Sequence, residues 1–193
     1  MARDLESAWQ ALRPDDPQLG RDLLRRWREP HRRYHTDRHL QYTLDIIDRY
    51  ADLAADADAV RMAAWLHDAV YDPRAGDNEE RSAALTDDPE VRRLVLLTKS
   101  HDAAPGDRNG ALLCDADLAI LAADPAEYRS YAQRVREEYA FVPDDAFRAG
   151  RGQVLQGLLA KAELYKIVPE REEWNRRARK NLREELRTVT GAP

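Results

Sequence analysis

The chain has 193 residues, 43% of them hydrophobic, which suits one domain or one domain with a small helical addition. Acids outnumber bases by 36 to 31, so the overall field repels nucleic acid and anionic membrane, and a small anionic substrate needs a local cation or metal. The single cysteine, Cys114, excludes an internal disulfide and a cysteine-built zinc cage; with no apolar targeting segment and no run near the ~20 residues that span a bilayer, a cytoplasmic protein is expected.

Apolar positions recur at helical spacing almost throughout, and no strand-type alternation stands out, so the pattern predicts an all-α protein. Breaks at 14–17, 72–77, 87–89 and 104–110, and near Pro125, Pro143 and Pro169, divide it into about eight helices. The first begins after Thr36, with Thr36 or Asp37 as its cap and Leu40, Leu44, Ile47, Ala51 and Ala54 on its apolar face. The second, 57–68, carries the run AVRMAAWL, apolar on nearly all sides, and should be buried. Further helices are expected at 78–85, 90–101, 111–121, 127–139, 144–167 and from 170 to 186 or 187. The last is charged on most faces, but acids among its bases point to a solvated face rather than a nucleic-acid surface. With no repeat and no linker, residues 1–193 are expected to form a single domain with a core over about 30–165.

His67 and Asp68 end the apolar run, where the pattern predicts burial and polar groups are costly unless satisfied. An imidazole beside a carboxylate suits a divalent cation; a helix end with a His–Asp hydrogen bond is the structural alternative. In PHRRYHTDRHL, His35 and His39 lie four apart and can share one side of a helix or flank its start. In CDADLAIL, Asp117 is the expected inward carboxylate, whereas Asp115 suits a helix N-terminal cap. Tyr128, Tyr131 and Tyr139 fall near helical spacing and are expected to pack rather than to stack on a base.

The order His, then His-Asp, then a distant Asp resembles the signature of the HD superfamily. The resemblance implies an HD-type helical bundle with His39, His67, Asp68 and Asp117 as ligands of one divalent transition metal. Manganese, iron, cobalt, nickel and zinc all suit such ligands, and magnesium suits them less. YHTDRH also resembles the Tyr-His-x-x-x-His motif of cyclic-nucleotide phosphodiesterases, which implies that His35 protonates the leaving group. HDAVYD resembles the His-Asp-x-x-Glu-Asp motif of guanosine tetraphosphate hydrolases, with Tyr71 replacing Glu and Asp72 matching Asp. Together YHTDRHL, HDAVYDP, DNEERSA, TKSH, DADLAIL, REEY, GR and ARKNL, spread over about residues 5 to 188, resemble a bacterial group of predicted metal-dependent HD superfamily phosphohydrolases.

That resemblance implies hydrolysis of a small phosphate ester, a nucleotide by preference, by metal-activated water. Asp68 or Asp117 would orient the water, with Asp72 a second candidate base. His101 is either a substrate contact or part of an incomplete second metal site, and Glu79 and Glu80 are further polar candidates. Lys99, Arg136, Arg148 and Arg151 are candidate phosphate clamps, Arg151 first among them because flanking glycines allow close approach. Neither nucleic acid nor membrane is expected as a partner, and a homodimer is left open. A metal-bound sensor or scaffold without hydrolysis is the alternative, and a di-iron oxygenase is disfavoured by the shortage of histidines.

Overall fold

The computed structural model describes residues 4–191, and these are all-helical: ten α-helices with two short 3-10 turns, and no strand among the described residues. The helices are α1 (Leu5–Leu12), α2 (Pro17–Trp27), α3 (Asp37–Arg49), α4 (Ala57–Leu66), α5 (Asn78–Ala83), α6 (Pro89–Leu97), α7 (Arg108–Asp117), α8 (Pro125–Glu138), α9 (Asp144–Ala160) and α10 (Arg171–Thr190). No helix is long and apolar enough to cross a membrane.

Local chemistry sets the starts. Asp4, Asp16, Thr36, Asp56, Asp88 and Asp107 each accept a backbone N–H of the first turn they precede, satisfying donors the helix cannot. Proline follows the cap in α2, α6 and α8, where its missing N–H costs nothing. Thr36, not Asp37, is therefore the cap of α3. The two N-terminal helices exceed the expected eight and lie either side of the 14–17 break.

One apolar cluster runs through the chain, from Leu5 and Trp9 of α1 to Ala178 and Leu182 of α10. Helix α4 lies inside it, with Val60, Met62, Ala63, Ala64, Trp65 and Leu66 all buried as expected. Trp9 packs edge-on against Trp65 at 5.0 Å and donates its indole N–H to the Asp16 carbonyl at 2.7 Å. Its ring covers Gly20 so closely that a Cβ there would lie 2.2 Å from it, so only glycine fits. Cys114 is buried in α7 beside Ala103 and Ala111, and burial, reinforced by Asp117 and Asp115, pushes its thiol pKa up to about 12.

Three expectations are corrected. The helix expected over 144–167 ends at Ala160, and a non-helical segment follows. Asp115 holds part of that segment: it is a fully buried interior residue of α7, not an N-cap, and accepts the N–H groups of Lys166, Ile167 and Val168 at 2.8, 2.8 and 3.0 Å. Asn175 adds bonds to the Leu164 N–H and the Tyr165 carbonyl, so side chains replace the helical ladder there. Helix α6 likewise ends at Leu97 instead of reaching 101, and the turn beyond it leaves His101 with a left-handed φ of 53°.

Candidate metal centre

The loop before α3, the ends of α4 and α7 and the turn after α6 line one cavity of about 550 Å³. His39 comes from the first turn of α3, His67 caps the end of α4 with Asp68 next to it, and Asp117 is the last residue of α7.

Three of the four expected ligands, His39, His67 and Asp117, meet, and Asp68 touches His67. His39 Nε2 lies 3.2 Å from His67 Nε2 and 3.0 Å from Asp117 Oδ1, while His67 Nε2 is 3.5 Å from that oxygen and 3.3 Å from Asp68 Oδ2. Ligand atoms about 2.1 Å from one tetrahedral ion sit about 3.4 Å apart, so these spacings fit a divalent metal. The tightest set is His39, His67 and Asp117, a group able to hold a metal ion, with Asp68 beside it.

Protonation fits the same reading. His67 Nδ1 lies 2.8 Å from the Ala64 carbonyl, which can only accept, so that nitrogen carries a proton and Nε2 faces the cluster. Burial opposes charge on His67, but the Asp68 and Asp117 carboxylates outweigh it and hold its pKa well above the usual histidine value. Burial instead dominates His39 and lowers its pKa, and its Nδ1 is buried without a partner. Against their own burial, Asp117 and Asp68 are held below the usual carboxylate range, chiefly by His67. Two carboxylates and two imidazoles packed this closely call for positive charge, which a proton on His67 supplies and which a metal would supply by displacing that proton.

His101 joins the cluster through Nε2, 2.8 Å from Asp117 Oδ2, the oxygen that does not face His39. His35 stands further off, its Nε2 4.0 Å from Asp68 Oδ2. Its Nδ1 lies 2.7 Å from Glu138 Oε2, and although burial opposes charge, Glu138 and Asp68 raise its pKa. Glu138 also accepts a hydrogen bond from the Tyr71 hydroxyl at 2.9 Å and from three backbone N–H groups, those of Arg33, Tyr34 and His35. Though burial works the other way, those bonds, His35 first, lower its pKa to about 2.

Sequence reasoning gave no role to Glu138 or to Arg32. The signal for Glu138 was present: Tyr128, Val135 and Glu138 share the buried stripe of α8, so a carboxylate falls on an apolar face. Arg32 has a fully buried side chain and donates to the carbonyls of His35, Asp68 and Ala69, tying the loop before α3 to the turn after α4. Its guanidinium lies 5.3 Å from the rings of both Trp27 and Tyr71. Nothing in its local sequence distinguishes it from its neighbour Arg33.

The remaining candidates divide. Lys99, Glu79, His101 and Arg151 line the cavity, as do Tyr34, Tyr131 and Tyr139. Asp72 is not in the lining, and its carboxylate accepts the Arg74 N–H at 2.9 Å within its own turn. Arg136 and Arg148 also lie outside the lining, and Arg136 is spent on Tyr139, Val142 and Asp144. No family model, no curated protein and no solved structure matches the chain.

Proposed function

We propose that the protein is a metal-dependent phosphohydrolase acting on a small phosphate ester, with a nucleotide as the preferred kind of substrate. The observation that carries this is the meeting of His39, His67, Asp68 and Asp117 at 3.0 to 3.5 Å beside an open cavity, with His35 at its edge. The motif order that resembles the HD superfamily supports it. Manganese, iron, cobalt, nickel or zinc fits two imidazoles and two carboxylates better than magnesium does. Held by those four side chains, such an ion would supply Lewis acidity toward a phosphoryl oxygen and an acidified water.

The chain's own groups do the rest. Asp68, ionised and at the cavity wall, accepts a hydrogen bond from a water and turns its lone pair toward phosphorus. His35 holds a proton at Nε2, since Glu138 accepts the one at Nδ1 and favours the charged ring, and it gives the Nε2 proton to the departing oxygen. Tyr71, bonded to the same Glu138 oxygen and packed 4.4 Å from the His35 ring, keeps that ring from turning. Tyr34, Tyr131 and Tyr139 offer aromatic surface to the organic part of the ester.

The test is hydrolysis of p-nitrophenyl phosphate and of nucleoside monophosphates by the purified protein supplied with each metal in turn, beside the doubly substituted His67→Ala/Asp68→Ala protein. Turnover that needs metal and disappears in the double variant supports the reading. Stoichiometric metal binding with no turnover sends it to the sensor alternative.

A further inference from the structure

The cavity's cations are already committed. Among the described residues its lining includes Lys99, Arg151 and Lys161, which would be expected to grip a polyphosphate. Lys99 Nζ is instead bound to Glu80 and to the Gly76 carbonyl at 3.1 Å. Arg151 meets both oxygens of Glu185, at 2.7 and 3.0 Å, and the Tyr131 hydroxyl at 3.2 Å. Lys161 is bound to Asp102 and to the Ser100 carbonyl at 2.9 Å. Each partner acid lies outside the lining, Glu185 partly buried and Glu80 and Asp102 at the exposed rim, so every cation of the wall already faces a carboxylate.

The lining also carries acids of its own. Asp117 belongs to the metal cluster, Asp68 lies against it at His67, and Glu79 adds a third carboxylate to the wall. The rest of the wall is largely uncharged: Leu118, Ile120, Leu121, Val154 and Leu158 are apolar, with the tyrosines beside them. Val154 is 53% exposed, an apolar side chain left open at the cavity edge.

From this pairing we infer that the substrate carries one phosphoryl group on an uncharged, largely apolar or aromatic remainder, and that nucleoside di- and triphosphates are poor substrates. The inference rests on the phosphohydrolase reading and narrows it. A single phosphoryl group is compensated at the metal cluster. A second or third would lie against Glu79, Leu118 or Val154, where no unpaired cation answers it. About 550 Å³ accommodates a phosphoryl group with a ring-bearing remainder.

The experiment compares kcat/KM of the manganese-supplied protein for p-nitrophenyl phosphate and for adenosine mono-, di- and triphosphate. It is paired with calorimetric titration of inorganic phosphate into EDTA-treated protein. Expected are a preference of at least about tenfold for the monophosphate over the triphosphate, as one uncompensated charge implies, and no saturable phosphate binding without metal. In Glu80→Gln, which frees Lys99 at the exposed rim, the diphosphate should gain about two- to fivefold on the monophosphate. Metal-dependent turnover that is equal or faster on the triphosphate, or saturable phosphate binding to EDTA-treated protein, overturns this inference alone. Absence of metal-dependent turnover on all four compounds overturns the phosphohydrolase reading, and the inference with it.

Discussion

Arg32 donates a hydrogen bond at 2.9 Å to the backbone carbonyl of Asp68, across 36 positions of sequence. The same nitrogen serves the His35 carbonyl at 3.0 Å, so one buried guanidinium fixes the backbone under the two histidine motifs.

Replacing Arg32 with Lys should therefore damage both the fold and the site. A lysine keeps the charge but not the planar fork, leaving at least one buried carbonyl unpaired at a cost of about 1–3 kcal/mol. Metal affinity should fall about 10- to 100-fold, as when an outer partner of a metal ligand is lost. Urea unfolding and calorimetric metal titration of Arg32→Lys measure the two effects, and undiminished affinity would confine Arg32 to a structural role.

Glu138→Gln keeps the shape but places an amide against two donors, His35 Nδ1 and the Tyr71 hydroxyl. Metal content should stay at the native level while metal-dependent turnover drops about 100-fold, the low end of what a proton donor contributes. Native turnover in this variant would detach His35 from the reaction.

Acid should unfold the protein partly through Glu138. Its pKa in the fold is about 2 against an ordinary 4.5, so its contribution is complete above about pH 4.5 and is lost as pH falls toward 2. Its side chain has no exposed surface, so the shift corresponds to about 3 kcal/mol. Urea midpoints between pH 6 and pH 3 should decline less steeply in Glu138→Gln than in the native chain; parallel declines would contradict this assignment.

Metal removal should lower thermal stability. At a free metal concentration 100 times the dissociation constant, binding contributes about 2.7 kcal/mol, or about 5–10 °C in Tm for a chain of this size. Scanning calorimetry with manganese and with EDTA should show that difference in the native protein and none in His67→Ala.

Two glycines give opposite results on substitution. Gly20→Ala forces a methyl into the Trp9 ring and should cost about 1–3 kcal/mol. At Gly150, within α9, no atom lies within 4 Å of an added Cβ, and alanine should add about 0.5–1 kcal/mol through better helix propensity. Equal effects in urea titrations would refute the close approach of Trp9.

Legibility in the sequence depended on whether a residue's partner was local. Helical periodicity placed α3, α4 and α8, and the polar interruptions His67-Asp68 and Asp117 stood out because the pattern around them was apolar. The non-helical segment after α9 was invisible, because the acceptor that holds its residues 166–168, Asp115, lies about 50 positions away. Arg32 and Glu138 act on backbone groups brought near only by folding, and periodicity carries no signal for that. Asp72 shows the converse case: its motif position suggested the site, whereas its carboxylate bonds the backbone N–H of Arg74 two positions on.

Cys114 sits one helical turn before Asp117 on α7, and its thiol is both buried and held protonated. As the sole cysteine of the sequence, it makes the protein a self-contained clock for its own breathing. A thiol reagent reaches the sulfur only when the helix bearing Asp117 opens, so the labelling rate counts those openings one molecule at a time.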